Sequence, residues 1–251
     1  MQRLNGRIAL ITGAGGGIGR AIAHAFAAEG AIVQVSDVDG AAAKVVATEI
    51  AAAGGKAEAL RLDVTDPAAV LAIFATLKAA HGRLDILVNN AGLNVRADFR
   101  HMTDADWLKI RETNLDSVVR LSRDGFSLLQ ASGKGVILNL ASIMAERGMR
   151  QLTAYSATKG AVKALTRGMA VEYAPFGIRV TYLAPGFVET ALTERVLRNP
   201  IINQALIDQT PMRRFGTPRD IAKAAVFLAS DDAAFITGTG LTVDGGMSAS
   251  L

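Results

Sequence analysis

Short aliphatic runs alternate with longer Ala-rich stretches along almost the whole of this 251-residue chain. The runs fall at 7–12, 31–36, 57–62, 84–88, 135–140, 178–183 and 240–243. Most are continuously apolar, the pattern of a strand covered on both faces rather than on one. The spacing predicts helices between them at 18–29, 40–53, 67–81, 104–131, 153–173 and 218–229. Asp66-Pro67 and Thr217-Pro218 place a capping side chain before a Pro suited to the first helical position. Strand–helix alternation of this kind demands parallel pairing through right-handed crossovers. No repeat or low-complexity linker divides the chain. The expectation is one α/β domain over residues 1–251, with seven parallel strands and helices on both faces of the sheet.

Composition agrees with a large helix-on-sheet core. Half of the residues are hydrophobic, only 5% are aromatic, and there are six prolines. Ala, Val, Leu and Ile must therefore build the interior. The net charge of +4 is spread along the chain with no run of basic residues, which argues against nucleic-acid binding. The absence of Cys removes disulfides, thiolate metal sites and Cys nucleophiles. His24, His81 and His101 lie far apart without ligand-like spacing, so no metal site is expected. No apolar run is long enough for a secretory signal or a membrane span. A soluble, cytoplasmic protein is the expectation.

The first strand runs into Thr12-Gly13-Ala14-Gly15-Gly16-Gly17-Ile18-Gly19 and then into a helix. Glycines let a backbone turn sharply and approach a pyrophosphate. The helix N-terminus then offers free N–H groups and partial positive charge. Gly13, Gly15, Gly17, Ile18 and Gly19 are the candidate phosphate-binding residues. There is no Gly-Lys-Ser/Thr ending, which disfavours a nucleoside-triphosphatase loop. Asp37 ends the second strand, 18 residues after Gly19. A carboxylate there accepts hydrogen bonds from both adenosine ribose hydroxyls and repels a 2′-phosphate. Val38 and Asp39 bring no adjacent cation, so NAD is expected over NADP. Asp63-Val64 ends the third strand, where the carboxylate can meet the adenine amino group. Asn90, Ala91 and Gly92 follow the fourth strand and complete the candidate cofactor wall.

At the chemical end, Ser142 lies just past the fifth strand, and the next helix carries Tyr155 and Lys159 four residues apart on one face. A free Tyr, with a pKa of about 10, is a poor base at neutral pH. A neighbouring ammonium and an oxidised nicotinamide both favour the phenolate. Such a Tyr can exchange a proton with an alcohol or carbonyl, while Ser142 holds the substrate oxygen. Asn114 is polar where Leu115, Val118 and Val119 suggest burial.

Taken together, these residues resemble the short-chain dehydrogenase/reductase family over essentially the full chain. The likeness is carried by Thr12 to Gly19, Asp63, Asn89-Asn90-Ala91-Gly92, Asn114, Ser142, Tyr155-x-x-x-Lys159 and Pro185-Gly186. It implies a Rossmann-type doubly wound fold, a nicotinamide cofactor, and a catalytic set of Asn114, Ser142, Tyr155 and Lys159. In it Asn114 kinks a helix and holds a water that links Lys159 to solvent. Ile18 lies by the pyrophosphate and Asn90 near a ribose. Tyr155 and Lys159 also touch the cofactor, and Pro185, Gly186, Val188 and Thr190 border the nicotinamide amide. Homotetramers are implied too, built from the helix at 153–173, the long helix before it and the last strand.

The segment 186–216 departs from the strand–helix rhythm, with helical stretches around 190–198 and 200–209, and reads as a lid over the substrate. Asn94, Ile143, Met144, Gln151, Phe187 and residues of the 190–215 segment are the candidate substrate positions. They suit a small-molecule secondary alcohol or ketone. The run Pro185-Gly186-Phe187-Val188-Glu189-Thr190 also resembles the 3-oxoacyl carrier-protein reductases. The carrier-docking arginines of that group fall on Gly133 and Phe176, however, and that group prefers NADP. An acyl-carrier reductase is therefore the first alternative. A non-catalytic NAD-binding sensor or scaffold is the second, and such a protein typically lacks the Tyr or the Lys.

Overall fold

All seven expected strands form, and they lie in one parallel sheet. The computed structural model describes residues 2–250, apart from the side chains of residues 195 and 196. The strands are β1 (Ile8–Thr12), β2 (Ile32–Asp37), β3 (Lys56–Arg61), β4 (Ile86–Asn89), β5 (Val136–Leu140), β6 (Arg179–Pro185) and β7 (Gly240–Val243). Their order is β3-β2-β1-β4-β5-β6-β7, and every pairing is parallel. The winding reverses between β1 and β4, and a doubly wound sheet opens a crevice at the carboxyl ends of such strands.

The helices are α1 (Gly17–Ala28), α2 (Gly40–Ala52), α3 (Pro67–His81), α4 (Asp104–Arg111), α5 (Ser117–Asp124), α6 (Phe126–Ala131), α7 (Thr153–Tyr173), α8 (Ala191–Leu197), α9 (Pro200–Asp208) and α10 (Pro218–Ala229). Along β1 the side chains alternate between two apolar clusters. Ala9 and Ile11 pack with Ile22 and Phe26 of α1, Val46 of α2 and Val226 of α10. Ile8 and Leu10 pack with Phe74 of α3, Leu121 of α5, Leu129 of α6 and Met169 of α7. Each such side chain, fully buried, contributes about 1.5–3 kcal/mol, which explains why strands covered on both faces are apolar throughout. β3, at the edge, reads Lys-Ala-Glu-Ala-Leu-Arg and is largely exposed.

The single helix expected at 104–131 is three helices. α4 passes into a π turn over Glu112–Asp116 before α5 begins, and Gly125 separates α5 from α6. A Cβ on Gly125 would lie 2.8 Å from the Phe74 ring, so the break lets this layer close on α3. Asn114, at the centre of the π turn, is buried, as is Val118, whereas Val119 is exposed. Segment 186–216 leaves the sheet through a narrow neck. Val188 and Gly216 form an isolated parallel bridge, and α8 and α9 lie between them. Among the described residues no helix is long and apolar enough to cross a membrane.

Candidate active site

The carboxyl ends of β1 and β4 are fastened to each other before either reaches the crevice. Thr12 Oγ1 accepts the backbone N–H groups of Asn90 and Ala91, each at 3.1 Å. Asn90 Nδ2 donates to the carbonyls of Thr12 and Gly13 at 2.8 and 2.9 Å. This closeness dictates glycine at two positions. A Cβ on Gly13, where φ is +62°, would lie 2.9 Å from Ala91 Cα, and one on Gly19 would lie 2.3 Å from the Gly13 carbonyl oxygen. Asn90 and Gly19 therefore serve the turn's geometry, and Asn90 lines the crevice as well.

α2, α3, α4, α9 and α10 all begin with a side chain that accepts their first N–H groups. α1 begins at Gly16 with no such cap. Its first amides remain for an anion, with the partial positive charge of the helix behind them. The Asp37 carboxylate is oriented by two backbone donors, Gly15 N at 2.9 Å and Asp39 N at 3.0 Å. Gly15 thus acts on the crevice through Asp37. Asp63 is held by the backbone and hydroxyl of Thr65, whose hydrogen bonds are the main reason its carboxyl lies below the usual range.

A cavity of about 560 Å³ runs from Asp37 and Val38, past Asp63 and Val64, along the glycine turn, and on to Ser142, Tyr155 and Lys159. Gly13, Gly17, Ile18, Ala91 and Gly92 line it, as do Pro185, Gly186, Val188 and Thr190. Both ends of the expected site therefore share one space. A Cβ on Gly92 would stand 3.7 Å from Lys159 Nζ and 3.3 Å from Asn114 Oδ1, so Gly92 keeps the approach to the lysine open. The uncapped helix, the oriented carboxylate and this glycine-lined passage fit a dinucleotide.

Lys159 is 4% exposed. Its Nζ donates to the Leu140 carbonyl at 2.6 Å and lies 5.7 Å from the centre of the Tyr155 ring. Burial pushes the amine down to about 8. Burial also pushes the Tyr155 phenol up, while its hydrogen bond to Ser142 pulls the other way. In the chain alone, Ser142 rather than Lys159 is thus the group that draws the phenol toward ionisation. Ser142 Oγ also accepts Met144 N at 3.1 Å, which fixes the loop that carries it.

Asn114 stands behind this row and does not line the cavity. Its Oδ1 accepts Leu93 N and its Nδ2 donates to the Leu93 carbonyl, both at 2.8 Å. This two-way strap holds the loop after β4, whose Leu93, Asn94 and Arg96 form part of the cavity wall. Ile143, Met144 and Phe187 line it too, as expected. Gln151 does not. It is exposed with φ of +64°, and the chain turns there so that Leu152 faces the cavity instead. Leu192 falls in the segment expected to border the substrate, whereas Leu93, Arg96, Thr113 and Leu152 are not singled out by sequence, because a wall drawn from two loops and a π turn has no periodicity to reveal it. Among the described residues no group of His, Asp and Glu comes together as a metal site would require.

A family model described as Enoyl-(Acyl carrier protein) reductase, adh_short_C2, matches residues 13–248. Among curated proteins, the 3-oxoacyl-(acyl-carrier-protein) reductase of Escherichia coli is 39% identical over 246 residues, 98% of this chain and 99% of that protein. The structure of a 7α-hydroxysteroid dehydrogenase with NADH and 7-oxo glycochenodeoxycholic acid is 41% identical, with a TM-score of 0.94 over 98% of this chain and 95% of that one. A gluconate 5-dehydrogenase from Burkholderia cenocepacia, in complex with NADP and tartrate, is 36% identical, with a TM-score of 0.96 over 99% of this chain and 98% of that one. Fold and site thus define an oxidoreductase built on a doubly wound sheet. The chain belongs to the short-chain dehydrogenase/reductase family, whose members use a nicotinamide cofactor.

Proposed function

We propose that the protein moves hydride between NAD(H) and a secondary alcohol or ketone, with Tyr155 as the general acid and base. The observation that carries this reading is that Ser142, Tyr155 and Lys159 line the same cavity as the glycine turn and Asp37. When bound there, the nicotinamide supplies the carbon that accepts or releases the hydride. The chain supplies the rest. Ser142 and Tyr155 hold the substrate oxygen between two hydroxyls. In oxidation Tyr155 Oη takes the hydroxyl proton, and in reduction it returns one. Lys159, protonated below about 8, keeps a positive charge facing the phenol ring and so opposes the effect of burial. A water beside Asn114 would pass the proton on to solvent.

Asp37 supports NAD over NADP, because a carboxylate already oriented by two amides offers its remaining lone pairs to ribose hydroxyls. The relatives with NADH and NADP support a nicotinamide dinucleotide without choosing between them. Leu93, Met144, Leu152, Phe187 and Leu192 make the substrate end mainly apolar, with Asn94 as a polar handle. Segment 186–216, which contributes Phe187 and Leu192, acts as the lid. Reduction of 3-oxoacyl thioesters is the reading favoured by the Escherichia coli relative. Gly133 and Phe176, where that group carries its docking cations, are both exposed and uncharged here, which supports the small alcohol instead.

Tyr155→Phe is the test. NADH formation from a panel of secondary alcohols should fall by about 10²–10⁴-fold, while NAD affinity measured by fluorescence stays within a few-fold. Turnover near that of the native protein would refute the assignment. A native protein that binds NAD and oxidises none of the panel would favour the sensor reading.

A further inference from the structure

Val38 and Asp39, which follow Asp37 in sequence, bring no cation beside it, but across the strand pair one is present. Asp37 and Arg61 are register partners across β2 and β3, so their backbones lie side by side at the sheet's carboxyl edge. The Arg61 stem crosses the start of α2. A Cβ on Gly40 would lie 3.2 Å from Arg61 Cβ and 3.6 Å from its Cδ, so only glycine leaves that path open. From there the guanidinium reaches the cavity rim, where Nε donates to the Val38 carbonyl at 3.4 Å. Val38 is itself a cavity-lining residue and is 59% exposed. The two Nη groups of Arg61 meet no acceptor among the described residues. Of the other carboxylates here, Asp39 is occupied in capping α2 through Ala41 N and Ala42 N, and Asp63 is held by Thr65 and feels the Arg61 charge at longer range.

We propose that Arg61 is the specificity-determining cation of the adenosine end, and that it gives the site a measurable affinity for a 2′-phosphorylated adenosine in spite of Asp37. The proposal rests on the dinucleotide reading above. A ribose held at Asp37 would carry its 2′ substituent beside the register partner of that residue. A phosphate there brings about −1.5 to −2 charge and three acceptor oxygens, and a guanidinium with two free Nη groups meets it in a planar fork. Asp37 and Arg61 then act in opposite directions on the same ligand group. Asp37 repels the phosphate and favours the free diol. Arg61 does nothing for the diol and favours the phosphate. NAD is preferred and NADP is a second ligand, with the ratio set by two residues on neighbouring strands.

Calorimetric titration with 5′-ADP and with 2′,5′-ADP separates these effects without any turnover. Arg61→Gln should weaken 2′,5′-ADP binding by about five- to tenfold, the range of one or two charge-assisted hydrogen bonds at an exposed site, and leave 5′-ADP within about twofold. Asp37→Ser should tighten 2′,5′-ADP, and the double variant Asp37→Ser, Arg61→Gln should lose most of that gain. If Arg61→Gln changes both nucleotides equally or neither, or if the double variant keeps the gain, the Arg61 assignment is overturned while the dinucleotide reading stands. If the native protein binds neither nucleotide, both are overturned.

Discussion

Lys159 is a buried cation without a carboxylate partner among the described residues, and the protein should be more stable without it at neutral pH. Holding the amine at about 8 instead of its ordinary 10.5 costs the protonated form about 3 kcal/mol, at about 1.4 kcal/mol per tenfold change. Lys159→Met removes that cost and keeps an unbranched chain in the space. It also removes the donation to the Leu140 carbonyl, and a buried acceptor left without its donor costs about 1–3 kcal/mol. The variant should therefore be more stable than the native protein near pH 7, by up to about 2 kcal/mol. The sign must also change with pH. Between about 8 and 10.5 the unfolded chain still holds a proton that the folded protein has released, so native stability rises with pH through this window. The variant lacks that gain, and near pH 10.5 it should be the less stable of the two. Equilibrium urea unfolding at matched protein concentration, near neutral pH and near the upper end of that window, reads both signs. A variant destabilised at neutral pH, or a difference that does not move with pH, would sink the reasoning.

Two further outcomes follow from the same site. Ser142→Ala removes the one hydrogen bond that lowers the Tyr155 pKa. With the ionised phenol as the base, as proposed, alcohol oxidation should be about a hundredfold slower, and its pH–kcat/KM profile should begin to rise at a higher pH than in the native protein. An unmoved profile counts against Tyr155 as the titrating group. Gly19→Ala puts a Cβ 2.3 Å from the Gly13 carbonyl and 2.5 Å from Asn90 Nδ2. Overpacking of this kind costs about 1–3 kcal/mol, so in a domain of this size Tm should fall by about 2–12 °C and NAD affinity with it, and native values of both would show that the turn can relax.

The architecture was legible because burial on both faces writes an unbroken apolar run, which survives even where strand ends shift by a residue or two. β4 begins at Ile86 rather than 84, and β6 continues to Pro185. The candidate catalytic pair was legible because Tyr155 and Lys159 sit one helical turn apart. The phosphate turn was legible because a cluster of glycines between a strand and a helix marks a backbone that something must approach closely. The break in the helix at Asn114 was legible through the family resemblance and not through periodicity, since the bond that holds the π turn runs to Leu93, 21 residues earlier. Arg61 was hidden for a related reason. The residues beside Asp37 along the chain carry no cation, and Arg61 comes beside it only across a strand pair. Gln151 was misplaced because a single left-handed residue exchanges which of two neighbours faces inward.

The neck at Val188 and Gly216 has an implication for how such a scaffold diversifies. The segment closes at that bridge and rests on the body through Leu206 and Phe215, clustered with Ile143, Met144 and Leu152, and through Met212 N on the Gly245 carbonyl, so a longer or shorter insert away from those contacts costs little more than the entropy of closing it, about 0.6 kcal/mol for each doubling in length. The hydride-transfer floor, by contrast, is pinned by tight glycine contacts and cross-strand bonds that tolerate no such change. Steroid, sugar-acid and acyl-thioester chemistries can thus share one chassis while exchanging a cassette at its rim.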